Sequence, residues 1–174
     1  MQELRKITQE QLEEILLKHK LYLENKEGGK RADLGYCDLR DAYLIGANLI
    51  GANLEGANLR DAYLRDANLE YANLKYANLT RAIILCVNLT HANLEYANLQ
   101  CANLRGANLE GANLEKADLR YANLRYANLE NANLKGANLR YANLRYANLE
   151  GANLIGANLG DVNLGYANLE NTII

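Results

Sequence analysis

Residues 46–74 read GANLIGANLEGANLRDAYLRDANLEYANL. Leu recurs at every fifth position, from Leu49 to Leu74. Ala stands two places before each of these Leu residues, and Asn lies between them except at Tyr63. The same beat begins at Ala32 and runs to the end, with centres from Leu34 to Ile174. All centres are Leu except Ile84 and Ile174. The small position departs from Ala at Cys37, Val87, Val162 and Thr172. The position between them departs from Asn or Asp at Tyr43, Tyr63, Ile83 and Ile173.

A period of five fits neither regular element. In an α-helix each Leu would sit about 140° around from the last, which smears Leu over the whole surface. In a straight strand an odd period throws alternate Leu residues to opposite faces. The chain must therefore bend once per unit so that every Leu faces one axis. A right-angled bend closes a square after four units, and stacked squares pair their backbones at about 4.8 Å.

The quoted run resembles the pentapeptide-repeat protein family, and the resemblance covers residues 32–174. It implies an all-β solenoid, a right-handed quadrilateral β-helix. It also implies that the central Leu and the preceding small residue point inward, while the other positions point out. About seven coils are expected, a rod of roughly 35 Å. Residues 1–31 form a separate N-terminal segment, and 32–174 the β-helix.

Composition agrees with a tiled interior. The 174 residues contain no Phe, Trp or Pro, although 49% are apolar. A large ring would overpack a layer of four Leu and four small residues. Proline would remove backbone donors needed between coils. Nineteen basic and 21 acidic residues leave a net charge of -2, too mild to mark a nucleic-acid binder or an acidic mimic by charge alone. The start, MQELRKITQEQL, has no apolar stretch or cleavage site, so no signal peptide is expected. Nor is a membrane span expected. Three irregularly spaced cysteines, Cys37, Cys86 and Cys101, argue against a disulfide framework and suggest a reducing cytoplasm.

Residues 1–31 carry a helix signal over about 9–24. Thr8 is the expected N-cap, with Gln11 completing a capping box and Ile7 and Leu12 at staple positions. Leu12, Ile15, Leu16, His19, Tyr22 and Leu23 recur on one face, and Gly28-Gly29 provides the stop. A solenoid must hide its first layer and open edge, so this helix is expected to be an end cap. At the other end, Gly160, Gly165, Ile173 and Ile174 offer a final coil that a second copy could pair with, giving a homodimer.

No catalytic constellation, metal cluster or cofactor motif emerges, and neither an enzyme nor a cofactor is expected. His19 reads as a packed residue, Cys37 as core, and Cys86 and Cys101 as surface thiols. Function must then lie in the outward positions, which form columns twenty residues apart. One column carries Glu110, Glu130, Glu150 and Glu170; another carries Arg105, Arg125 and Arg145; a third carries Arg120 and Arg140. The duplicated block LRYANLRYANL, at 119–129 and 139–149, sets Arg120, Arg125, Arg140 and Arg145 beside Tyr121, Tyr126, Tyr141 and Tyr146, with Tyr166 extending one column. Arg and Tyr together are favoured at binding hot spots, and stacked Tyr ladders also stabilise a rod by themselves. A second candidate is an apolar docking patch of Tyr43, Ile45, Ile50, Tyr63, Ile83 and Leu85, which would seat the helix or meet a partner.

The reading is a non-catalytic scaffold that binds a protein partner. Two alternatives stand beside it. The family resemblance implies DNA mimicry toward gyrase, which the Leu centres and Arg columns disfavour. The Arg/Tyr grid suggests nucleic-acid binding, which the neighbouring Glu column disfavours.

Overall fold

The computed structural model describes residues 3–174. The first two residues of the expected 1–31 segment lie outside the described residues.

Parallel backbone bridges join each unit to the one twenty residues later. Four columns of bridges result, beginning at Asp33, Asp38, Tyr43 and Asn48. We call them sides A, B, C and D in that order. The pairing is reciprocal. Leu74 N–H donates to the Asn93 carbonyl at 2.7 Å, and Asn93 N–H donates to the Ala72 carbonyl at 2.9 Å. Within a coil, Ala77 N–H donates to the Leu74 carbonyl at 3.0 Å, closing a tight turn. The second residue after each Leu occupies the left-handed region, as at Tyr76 with φ 60. A turn with positive φ at its third residue turns the chain at each corner. Glycine takes this conformation freely, yet most corners use Tyr, Asp, Arg or another side chain.

Outside the backbone runs a second ladder. Asn73 Oδ1 accepts from Lys75 N–H at 3.2 Å, which braces its own turn. Asn133 Nδ2 donates to Asn113 Oδ1 at 3.1 Å, one coil away. Asn thus serves both the bend and the stack, which accounts for its frequency. Inside, the central and small positions, Leu and Ala except for Ile84 and Val87, are all buried from Leu49 to Leu154. We expect Leu94→Ala to cost about 2–5 kcal/mol in urea unfolding, because rigid coils on both sides cannot close the cavity.

The helix α1 spans Gln9–Leu23. Thr8 Oγ1 accepts from Gln11 N–H at 3.2 Å, and Gln11 Oε1 accepts from Thr8 N–H at 2.8 Å. Leu12 and His19 are buried, and Ile15 and Leu16 pack partly against the core. Tyr22 is 46% exposed but stacks on His19 at 5.9 Å, and Leu23 is half-buried. A short strand β1, Arg5–Lys6, precedes α1 and pairs in parallel with β2, Cys37–Asp38. Nothing in two charged residues announces this strand. The first four Leu centres, Leu34, Leu39, Leu44 and Leu49, are at most 2% exposed. At the far end Leu169 is 39% and Ile174 78% exposed.

Two close contacts hold α1 in place. Gly29 passes so near the last turn that a Cβ there would lie 2.5 Å from Tyr22 N. His19 Nδ1 accepts from Ala32 N–H at 3.1 Å, at the entry to the first coil. This bond requires neutral imidazole with its proton on Nε2. Burial holds His19 below the usual histidine range; the Ile50 carbonyl opposes that shift and Arg31 adds to it. Among the described residues, no acceptor meets hydrogen-bond geometry at Nε2. The unfolded chain therefore takes up this proton before the folded one, and stability falls as pH drops through the ordinary histidine value. We expect the wild-type melting temperature to fall from about pH 7.5 to about pH 5, and His19→Gln to flatten that slope.

Candidate interaction face

The bridge column Tyr43, Tyr63, Ile83, Asn103, Asn123, Asn143 and Asn163 defines side C. For its first three coils this side lacks the Asn ladder. Tyr43 and Tyr63 stack instead, with ring centroids 4.9 Å apart. Ile45 is exposed beside them, and Leu85 is half-buried two coils along. Tyr43 is 70% exposed and lines a cleft with Ile7, Thr8, Gln9 and Leu12 at the start of α1, which borders the patch without burying this ring.

Ile50 does not belong with these residues. It follows Leu49 on side D, around the corner, and its carbonyl faces His19. The apolar patch is therefore Tyr43, Ile45, Tyr63, Ile83 and Leu85.

Further along side C, Arg105, Arg125 and Arg145 follow Leu85 in the same column. Gly106 N–H donates to the Arg125 carbonyl and Tyr126 N–H to the Arg145 carbonyl, which fixes that order. Tyr126, Tyr146 and Tyr166 stack at the adjoining corner, 5.0 and 5.1 Å apart and within 4° of parallel. The guanidinium groups lie over these rings: Arg125 is 5.4 Å from the Tyr126 centroid and Arg145 is 5.3 Å from that of Tyr146. Arg105 joins them, 5.6 Å from the Tyr126 ring of the next coil. Sequence reasoning placed Arg105 in this column but left it out of the Arg/Tyr grid, because Gly106, not Tyr, follows it. Its ring partner lies 21 positions later, a signal that only stacking the coils brings out. A shallow groove lined by Arg65, Leu85, Cys86, Arg105, Gly106 and Tyr126 joins the two stretches.

Arg120, Tyr121, Arg140 and Tyr141 stand on side B. Tyr121 and Tyr141 stack at 5.0 Å. Asp118 neutralises Arg120, with Nη2 to Oδ2 at 2.7 Å. Arg140 lies 5.0 Å from the Tyr141 centroid and donates to its hydroxyl at 3.0 Å. The Arg/Tyr grid is thus two ladders on adjoining sides.

Charge is unevenly compensated. Lys75 pairs with Glu95 at 2.7 Å on side A. Among the described residues, Arg105, Arg125 and Arg145 meet no carboxylate within ion-pair distance. Among the described residues, Glu110, Glu130 and Glu150 on side D likewise meet no cation within that distance. Arg125 Nε is buried without an acceptor among the described residues. No group of described residues is placed to hold a metal ion. Cys37 is buried, Cys86 and Cys101 are exposed, and all three are free. His91 stacks on Tyr71 at 5.2 Å. Among the described residues, no helix is long and apolar enough to cross a membrane.

A parallel, four-sided solenoid with differently decorated sides is a surface-presenting repeat protein in class. Pentapeptide repeats match residues 30–61, 62–100, 97–136 and 132–171, and the chain belongs to the pentapeptide-repeat family. Among solved structures it is similar to HetL, a pentapeptide repeat protein involved in heterocyst differentiation regulation from the cyanobacterium Nostoc sp. strain PCC 7120. That match has 40% identity over 83% of this chain and 67% of HetL, with a TM-score of 0.81. Rfr23 from the cyanobacterium Cyanothece 51142 is 33% identical over 72% of this chain and 90% of its own, with a TM-score of 0.53. The Nostoc protein alr5209 is 34% identical over 61% of this chain and 83% of its own, with a TM-score of 0.51. These relatives imply a right-handed quadrilateral β-helix. No curated protein sequence matches.

Tyr146 is the middle ring of its ladder. We expect Tyr146→Ala to lose two stacks and about 1–3 kcal/mol in urea unfolding. Tyr146→Phe should retain most of that stability.

Proposed function

We propose that the protein is a non-catalytic interaction module: a rigid rod of about seven coils whose side C is read by a protein partner. Residues 1–31 serve as its N-terminal cap, and residues 32–174 as the presenting solenoid. One observation carries this reading: the apolar patch and the uncompensated arginine–tyrosine ladder are parts of one continuous side. A rod needs neither feature to fold, because Asn serves at the Tyr43 position elsewhere and Glu, Thr or Gln serves at the arginine position. Scattered apolar residues on a surface are ordinary, whereas a contiguous strip joined to unpaired cations marks a docking surface. The involvement of HetL in heterocyst differentiation regulation supports a regulatory partner over a metabolic one.

The test is affinity capture from the source cell with immobilised wild-type protein and with the triple variant Arg105→Glu/Arg125→Glu/Arg145→Glu. A specific protein should be retained by the first and lost by the second, with circular dichroism unchanged. Retention equal on both, or no specific protein on either, would refute this assignment of side C.

A further inference from the structure

Taking side C as the working surface, we infer that its partner segment is an amphipathic α-helix, apolar along one half and acidic along the other, lying parallel to the rod axis. The inference rests on the interaction-module reading and names the chemistry of what docks there.

The first argument is spacing. Successive tyrosine rings on side C stand 4.9 to 5.1 Å apart, which measures the repeat of the coils. An α-helix advances about 5.4 Å per turn. From Ile45 to Arg145 is five coils, about 24 Å at strand spacing. A helix covers that distance in about four and a half turns, so it slips by only about half a coil over the whole face. An extended strand repeats its facing side chains at about 6.7 Å and loses register after roughly two coils.

The second argument is the order of side chains. Tyr43, Ile45, Tyr63, Ile83 and Leu85 supply apolar contact along the first three coils of this side. Arg65, among them, already faces Asp66 at 3.6 Å. Arg105, Arg125 and Arg145 then supply three successive cations with no acid of their own. Positioned over Tyr126, Tyr146 and Tyr166, these guanidinium groups have given up part of their rotamer freedom before binding. Carboxylates at i, i+4 and i+7 of a helix lie one per turn and match this column. A nucleic-acid strand would satisfy the same arginines, but it would have to lie beside Glu110, Glu130 and Glu150 on the adjoining side. A helix can confine its acids to one stripe and avoid them.

The full-length protein should be challenged with a displayed library of helical peptides about 22 residues long, long enough to span the face. Facing positions would be randomised among Leu, Glu, Lys and Ser. Recovered peptides should carry Leu at facing positions of one half and Glu at those of the other. The best of them should bind the Arg105→Glu/Arg125→Glu/Arg145→Glu protein at least about tenfold more weakly, with the circular dichroism spectrum retained. Glu110→Gln/Glu130→Gln/Glu150→Gln should leave its affinity unchanged. Enrichment of Lys, absence of any helical pattern, or equal binding to the triple arginine variant would overturn the inference. So would a thymidine 20-mer that binds more tightly than the best peptide at the same salt. If the library yields nothing while the captured protein still depends on the arginines, the helix is wrong and the interaction-module reading stands.

Discussion

The reciprocal backbone pairing between residues twenty apart is the constraint on which everything else depends. Each coil donates and accepts along four short bridges, and no bridge extends into a strand of any length. A single bridge is worth little, because a protein hydrogen bond replaces one to water. The ladder holds because its members are repeated and because the Leu and Ala between them are sealed from solvent. Parallel pairing normally needs a crossover of a dozen or more residues. Here the remainder of the coil is the crossover, and it brings three further sides with it.

That arrangement separates inward from outward residues so completely that the two are independent. The inward tile explains the missing large rings and prolines. Outside the Asn ladder, the outward positions vary without disturbing it, since only their backbones enter the pairing. Corners occupied by Tyr, Arg or His in the left-handed region carry a cost of about 1 kcal/mol each. Stacking with the same corner of the neighbouring coil offsets part of this, as along Tyr126, Tyr146 and Tyr166.

The five-residue beat is legible in the sequence because burial, turn and pairing impose the same period. The columns follow from it by counting in twenties, which places Arg125 over Arg145 and Tyr43 over Tyr63. Two things escape such counting. Neighbours along the chain need not share a side: Ile50 follows Leu49 around a corner from Ile45, and so leaves the apolar patch. Contacts between different positions of successive coils are also invisible, as for Arg105 over Tyr126. Arg5–Lys6 escaped for another reason. It is a strand only because β2 presents a free edge to it, and nothing in its own side chains favours extension.

The twenty-residue register has a consequence for how such a chain can change in length. Gain or loss of twenty residues between Ile83 and Arg105 would move the arginines along the rod but keep them on side C. Gain or loss of five would preserve the tile, the turns and the ladder, yet rotate everything downstream by a quarter turn. The arginine ladder would then continue from a different side, cut off from Tyr43 and Ile45. Folding tolerates insertions in units of one side, whereas the composed face tolerates them only in whole coils. Length variation in steps of twenty would thus be the trace that selection leaves when it acts on the surface and not on the fold.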